Sequence, residues 1–293
     1  MTRRPVLAPG LPVLHRSSTE LQIGRTERYR LRIDDSPAVR RTLAVLDRGE
    51  TPRSDTETRR VLTELAPVLR DGDALFRPGV PPTEVAAVTL RHPTTAAARL
   101  AGRQAARVLV EGDLVVDPRP LLALSALGPA VNDPGVVLLL SRGEADRDRL
   151  DQLLRDRTPH LLVRAIESEV VLGPFVVPGR TACVRCLDLH RAGTDPLHPS
   201  LVSARAETPR HDGVPEPVDA ALAAIALGWA VRDLAAYAEG DRPSTWSATV
   251  RLTVDGTSFA TTGWLRHPHC GCSWIEPAPG TDDDEDRSVT IGR

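Results

Sequence analysis

The sequence predicts an α/β protein, with an α+β winged-helix-like N-terminal unit followed by a Rossmann-like α/β domain. Three observations carry this expectation. Short runs of alternating apolar and polar residues precede helical patterns within residues 1–77. From Val85 onward, strand-like and helix-like apolar runs alternate in the rhythm of βαβ units. Four cysteines fall as two tight pairs far apart in the chain, Cys183/Cys186 and Cys270/Cys272. A length of 293 residues suits about two domains.

In the first unit, Leu11 to Leu14, Leu21 to Ile23 and Tyr29 to Ile33 read as strands separated by turn signals. The third is the clearest, because Tyr29, Leu31 and Ile33 alternate with Arg28, Arg30 and Arg32, the period-2 pattern of a strand with one buried face. Ser36 and Pro37 start a helix as cap and first-turn proline, and Val39, Leu43 and Leu46 share a face of it. Leu62, Leu65 and Leu69 repeat helical spacing, with Pro67 marking a break. Such a unit suits three roles. It could bind DNA, although residues 1–76 hold 14 arginines against 11 acidic residues, a balance of only +3. It could capture an extended peptide along the edge of the third strand. Or the arginines merely blunt an edge strand against aggregation.

Pro78-Gly79-Val80-Pro81-Pro82 reads as a linker, residues 78–84, between the domains. Beyond it, Val85 to Leu90, Leu114 to Val116, Val136 to Leu140 and Leu161 to Ile166 read as strands. Thr94 to Ala106 and Glu144 to Arg155 read as helices, so the sheet is expected to be mostly parallel. Asp117 closes the second strand, where such folds grip a ribose. The expected glycine-rich phosphate turn after the first strand reads Leu90-Arg91-His92-Pro93-Thr94-Thr95, with no glycine and a proline that removes a backbone N–H. Nucleotide binding there is expected to be lost, leaving Asp117 as a capping residue or the remnant of a degenerate site.

The N-terminus lacks the apolar core of a secretory signal, and Ala220 to Val231 is well short of the ~20 apolar residues of a membrane span. The expected compartment is the cytoplasm, with no membrane association. There, paired cysteines serve as metal ligands, as a redox CxxC or as unpaired thiols more often than as structural disulfides. A four-thiolate zinc site, with Zn–S bonds of about 2.3 Å, is the simplest structure that uses all four. All 37 basic residues are arginine and none is lysine. This excludes Schiff-base chemistry and a Walker-type lysine.

The run Gly173-Pro174-Phe175-Val176-Val177-Pro178-Gly179-Arg180-Thr181-Ala182-Cys183-Val184-Arg185-Cys186-Leu187-Asp188-Leu189-His190, with the later Cys270-Gly271-Cys272, resembles the ThiF-like branch of the ubiquitin-activating-enzyme superfamily. More narrowly, it resembles the ocin-ThiF-like, or TOMM precursor leader-peptide-binding, proteins. The resemblance covers residues ~5 to 275 and implies a RiPP recognition element of PqqD-like winged-helix fold over 1–77. A ThiF-like domain with a structural zinc on Cys183, Cys186, Cys270 and Cys272 is implied over 85–275. By position, Arg28, Tyr29, Arg30, Leu31 and Arg32, with Val61, Leu62 and Leu65 on the following helix, match the cleft where a leader peptide adds as a strand. The implied role is non-catalytic, presenting a ribosomal precursor peptide to a YcaO cyclodehydratase during azol(in)e formation, with ATP used by the partner.

Other chemistry is weaker. His190, His267 and His269 flank the cysteines as supporting groups, and Asp188 with His190 lacks a nucleophile for acid–base work. The helix from Val218 to Ala238 is either core or a homodimer face. Residues 276–293, with Asp282-Asp283-Asp284-Glu285-Asp286, read as a disordered acidic tail. Two rivals to the adaptor stand: an adenylating enzyme with a divergent nucleotide site near Asp117, and a winged-helix DNA-binding regulator.

Overall fold

The computed structural model describes residues 4–72, 77–207, 216–253 and 259–275. The chain divides into two compact units, residues 1–102 and 103–293. The acidic run 282–286 lies outside the described residues.

The first unit opens with β1 (Pro5–Leu7), β2 (Val13–His15) and β3 (Glu20–Ile23). Gly24 then turns with φ +79°, so close to the Tyr29 carbonyl that a Cβ would sit 2.5 Å from its oxygen. Tyr29 ends a 3₁₀ turn (Glu27–Tyr29) rather than starting a strand, and β4 begins only at Leu31 (Leu31–Asp34). The alternation survives this shift, because Ile33 is buried, Tyr29 and Leu31 are half-buried, and Arg28, Arg30 and Arg32 are exposed. The sheet order is β2-β3-β4, all antiparallel, with Leu21 opposite Ile33.

Helix α1 (Pro37–Asp47) starts as its caps dictate, the Ser36 hydroxyl accepting the Val39 N–H at 3.3 Å. Asp55 caps α2 (Thr56–Leu65) by accepting the Thr58 N–H at 2.7 Å. Val39, Leu43, Leu46, Val61 and Leu65 close one core against Leu21, Ile23 and Ile33. Leu69, expected on the second helix, lies instead on β5 (Leu69–Asp71), which pairs antiparallel with β1 at Leu7. Pro67 sits in the 3₁₀ turn that breaks α2, since it has no N–H to continue the ladder.

Val85 to Leu90 is not a strand. It lies within α3 (Pro82–Arg91), whose Val85, Val88 and Thr89 are buried at helical spacing, and Pro82 to Glu84 of the expected linker form its first turn. A short β-branched apolar run fits either structure, and the Pro81-Pro82 start decides for the helix. Helix α4 (Ala96–Ala105) follows.

The second unit is built on a six-stranded sheet of order β11-β10-β9-β8-β7-β6. Strands β6 (Val108–Glu111), β7 (Val136–Arg142) and β8 (His160–Ile166) run parallel. Strands β9 (Glu169–Val176), β10 (Ala248–Leu252) and β11 (Ala260–Gly263) add antiparallel, so the sheet is mixed rather than mostly parallel. Short α5 (Arg119–Leu124) and α9 (Ala220–Ala238) cover one face, with Leu122, Ala226, Leu227 and Leu234 against Leu138, Leu161, Leu172 and Val250. Helix α6 (Arg147–Arg155) and the start of α7 (Val184–Thr194) cover the other, where Leu150, Leu153 and Val184 meet Leu139 and Leu162. Helix α8 (His198–Glu207) follows α7.

Helix α9 is long and apolar enough to cross a membrane, and it packs on β8 and β9 with one face buried in this core. Buried Asp233 fixes its exit by accepting the N–H groups of Ser244 and Thr245, at 2.9 and 3.0 Å, and both their hydroxyls. The second unit is thus an α/β fold on a mixed six-stranded sheet.

Candidate functional site

Cys183 caps the N-terminus of α7, and Cys186 follows one turn later on the same helix face. Cys270 caps the 3₁₀ turn Gly271–Trp274 that holds Cys272. All four thiols are buried and none is disulfide-bonded. Their sulphurs lie within 4.8 Å of one another, with Cys183–Cys186 at 3.8 Å, Cys183–Cys270 at 3.7 Å and Cys186–Cys272 at 3.3 Å. A tetrahedron of sulphurs with metal–sulphur bonds of about 2.3 Å has edges of about 3.8 Å, so the four have the geometry that a tetrahedral thiophilic ion needs. The His267 N–H donates to Cys186 Sγ at 3.3 Å, a contact that favours a thiolate.

The four thiols share protons unequally: although the bond with Cys183 lowers it, the bond with Cys186 and burial push the Cys272 thiol up to about 12. The hydrogen bond with Cys186 raises the Cys183 thiol and lowers that of Cys186, and the bond from Cys183 brings Cys270 down to about 7. The flanking histidines do not reach in as ligands. His190 Nε2 meets the Leu265 carbonyl at 2.9 Å, the His267 ring lies edge-on to the His190 ring, and the His269 ring lies tilted against that of His267.

Asp188 is held by both sides of the Arg147 guanidinium, at 2.8 and 3.1 Å. Arg147 also donates to Glu144 at 2.9 Å, and Glu144 accepts from Arg164, whose side chain is 3% exposed, at 2.9 Å. This buried layer lies at the carboxyl ends of β7 and β8, where α/β sheets usually admit ligands. Burial raises the Glu144 carboxyl, but Arg164 and Arg147 outweigh it and hold it below the usual range. Sequence reasoning missed this layer, because its members are scattered from Glu144 to Asp188 without a motif.

In the first unit, β4 bonds only to β3, so its other edge is open among the described residues. The Asp35 N–H donates to the Thr19 carbonyl at 2.8 Å, which fixes the alternation of the ladder and turns the main-chain N–H and C=O of Arg32 away from β3. Arg28 lies over the Tyr29 ring at 5.3 Å, and Arg30 pairs with Glu27 at 3.6 Å. On α2, Val61 and Leu65 are 0% exposed and point into the core rather than toward a peptide; half-buried Leu62 is the helix residue left at the surface.

Solved structures share this architecture. The heterocyclase TruD matches with a TM-score of 0.63 at 15% identity, over 93% of this chain and 43% of its own. A heterocyclase in complex with substrate and cofactor gives 0.62 at 14% identity, over 93% of this chain and 39% of its own. E. coli MccB, bound to MccA-N7isoASN, gives 0.53 at 10% identity and spans 92% of this chain and 99% of its own. The chain thus spans about two fifths of each heterocyclase and nearly all of MccB. At such identities the likeness is one of fold. No family model matches the sequence, and no curated protein does either.

The strand assignments of the expected nucleotide site need correction. The first strand of the sheet is β6, so the turn in the phosphate-loop position is Glu111-Gly112-Asp113-Leu114, not Leu90 to Thr95. It holds one glycine. Gly112 has φ +77°, and a Cβ there would meet the Leu140 carbonyl oxygen at 2.0 Å. Leu114 to Val116 forms no strand, and Asp117 is an exposed cap that accepts the Arg119 N–H at 3.0 Å and pairs with its guanidinium.

Proposed function

We propose that the chain is a leader-peptide-binding adaptor in RiPP biosynthesis, holding a ribosomal precursor peptide for a separate YcaO cyclodehydratase. The observation that carries this reading is the open edge of β4. Arg32 presents a free N–H and C=O there, and an extended peptide pairing with them would continue the antiparallel sheet while alternate side chains gave specificity. Arg32 makes no ion pair among the described residues, so its charge is available to an acidic leader. The likeness of fold to TruD supports a place in heterocycle formation, and in this reading the cyclising activity belongs to the partner.

In the same reading, Cys183, Cys186, Cys270 and Cys272 hold a zinc ion. Four protein thiolates leave no open position for substrate, so zinc would serve only as a clamp between α7 and the segment after β11. ATP would not bind, since the turn after β6 offers one glycine, no lysine is present, and the ends of β7 and β8 are filled by the paired Arg164–Glu144–Arg147 layer.

The test is fluorescence polarisation with a labelled leader segment of the precursor encoded beside this gene. Saturable binding that Arg32→Pro weakens at least about tenfold supports the adaptor. Tight duplex DNA binding with no peptide affinity overturns it. A second reading, adenylation, draws on the full-length likeness to MccB, one structure of which contains AMPCPP. ATP–pyrophosphate exchange above background by the purified chain would favour that reading.

A further inference from the structure

Beside the cysteine centre, the end of α6 and the last described turn enclose a groove of about 500 Å³. Leu154 and Ile275 give it an apolar wall, and Cys270 and Cys272 contribute to its lining. Trp274 stands at its rim 85% exposed, with no ring contact among the described residues. Arg185 in the same groove is bound by both oxygens of Asp151. Arg155 and Arg157, both exposed, make no ion pair among the described residues. An uncovered indole beside two uncommitted guanidinium groups combines the residue types that most often carry binding energy at an interface.

We propose that this groove is the docking site of the chain's own acidic run, Asp282-Asp283-Asp284-Glu285-Asp286. Two observations select this occupant. The five consecutive carboxylates are opposite in charge to Arg155 and Arg157, which are unpaired among the described residues, and the connection is short. Ile275 itself lines the groove, and Asp282 is seven residues further on, within about 23 Å of reach for an extended chain. Tethering at that length raises the local concentration of the run to about millimolar, so modest ion pairs suffice. A run seated in the groove would cover the Trp274 indole at its rim. The inference does not depend on the peptide-capture reading, which concerns the other unit.

Acrylamide quenching of Trp274 tests this in the full chain, its signal isolated by subtracting the Trp274→Phe variant. Neutralising the run (D282N/D283N/D284N/E285Q/D286N) should raise quenching of Trp274 severalfold, and R155A/R157A should do the same. High salt should expose Trp274 in the wild type but change nothing further in the neutralised chain. Equal quenching in wild-type and neutralised chains overturns the proposal. So does protection of Trp274 that disappears on dilution, which would assign the groove to a second copy, or protection that arises only on adding another protein. Unchanged emission from Trp229, Trp246 and Trp264 verifies that each variant is folded.

Discussion

The sulphurs of Cys183 and Cys270 lie 3.7 Å apart across 87 positions of sequence. The cysteine cluster and its small apolar surround, with Leu154, Val176, Leu187 and Trp264, fasten the 3₁₀ turn Gly271–Trp274, helped by Arg266, which donates to the Cys272 carbonyl at 2.7 Å, and by the Ser273 hydroxyl, which donates to the His267 carbonyl at 2.9 Å. If a metal makes this clamp, removing one ligand should be costly, because structural zinc contributes folding free energy directly. The full chain should carry one zinc per molecule by mass spectrometry under native conditions. Cys270→Ser should lose it and lower stability by several kcal/mol in urea titrations, on the order expected for a structural site. Wild-type protein purified without metal and equally stable would refute the clamp.

Peptide capture makes a prediction confined to the edge of β4. The side chain of Arg32 is exposed, so Arg32→Ala should leave folding unchanged while flattening the salt dependence of leader binding. Arg32→Pro additionally removes the outward N–H, and should abolish strand addition at any salt concentration. Identical polarisation curves for the two variants and the wild type would place the peptide elsewhere. Val61→Ala is expected to act differently, costing about 1–3 kcal/mol of stability through a core cavity rather than through peptide contact.

These contrasts follow what the sequence could and could not disclose. Ser36, Pro37 and the Val39/Leu43/Leu46 stripe announced α1, because caps and helical period are local signals. The alternating arginines announced the exposed side of β4, although Tyr29 fell into a 3₁₀ turn, with its carbonyl packed closely against Gly24. Strand β9 was hidden because residues Val170 to Val176 are buried on both faces and so carry no alternation. Val85 to Leu90 misled for a related reason, a short apolar run having no period of its own. The cysteine spacing pointed to one cluster, and the sulphurs do meet; the ion-paired layer around Glu144 left no trace, since its pairs join α6, α7, β8 and a loop.

His160 gives the fold a defined acid sensitivity. It is buried in β8, its Nδ1 is 3.0 Å from the Thr158 carbonyl, and burial lowers its pKa from the ordinary 6.5 to about 4. The unfolded chain therefore binds a proton that the folded chain refuses between these values. Its contribution is fully present above pH 6.5 and is lost as pH falls toward 4, amounting to about 3 kcal/mol. Cysteine protonation acts in the same range, so the comparison that isolates His160 is the difference between wild type and His160→Gln. The variant should lose less stability between pH 7 and 4.5 in urea titrations. Parallel profiles would show that another group controls the acid limb.

The layer at the ends of β7 and β8 separates a scaffold from a reaction site. Arg164 is buried, and burial lowers its pKa to about 10 despite the Glu144 carboxylate beside it. Glu144→Gln would leave the Arg164 and Arg147 charges with one acidic partner, Asp188, on Arg147 alone. The cost should be about 3–5 kcal/mol, the usual penalty for breaking a buried pair, and Tm should fall accordingly. A layer that only holds the sheet to α6 and α7 predicts that the surviving folded protein binds leader peptide with wild-type affinity and supports cyclisation by the partner at the wild-type rate. If Glu144→Gln instead left stability intact and abolished cyclisation, the layer would be part of a working site, and the adaptor reading would give way to an enzyme.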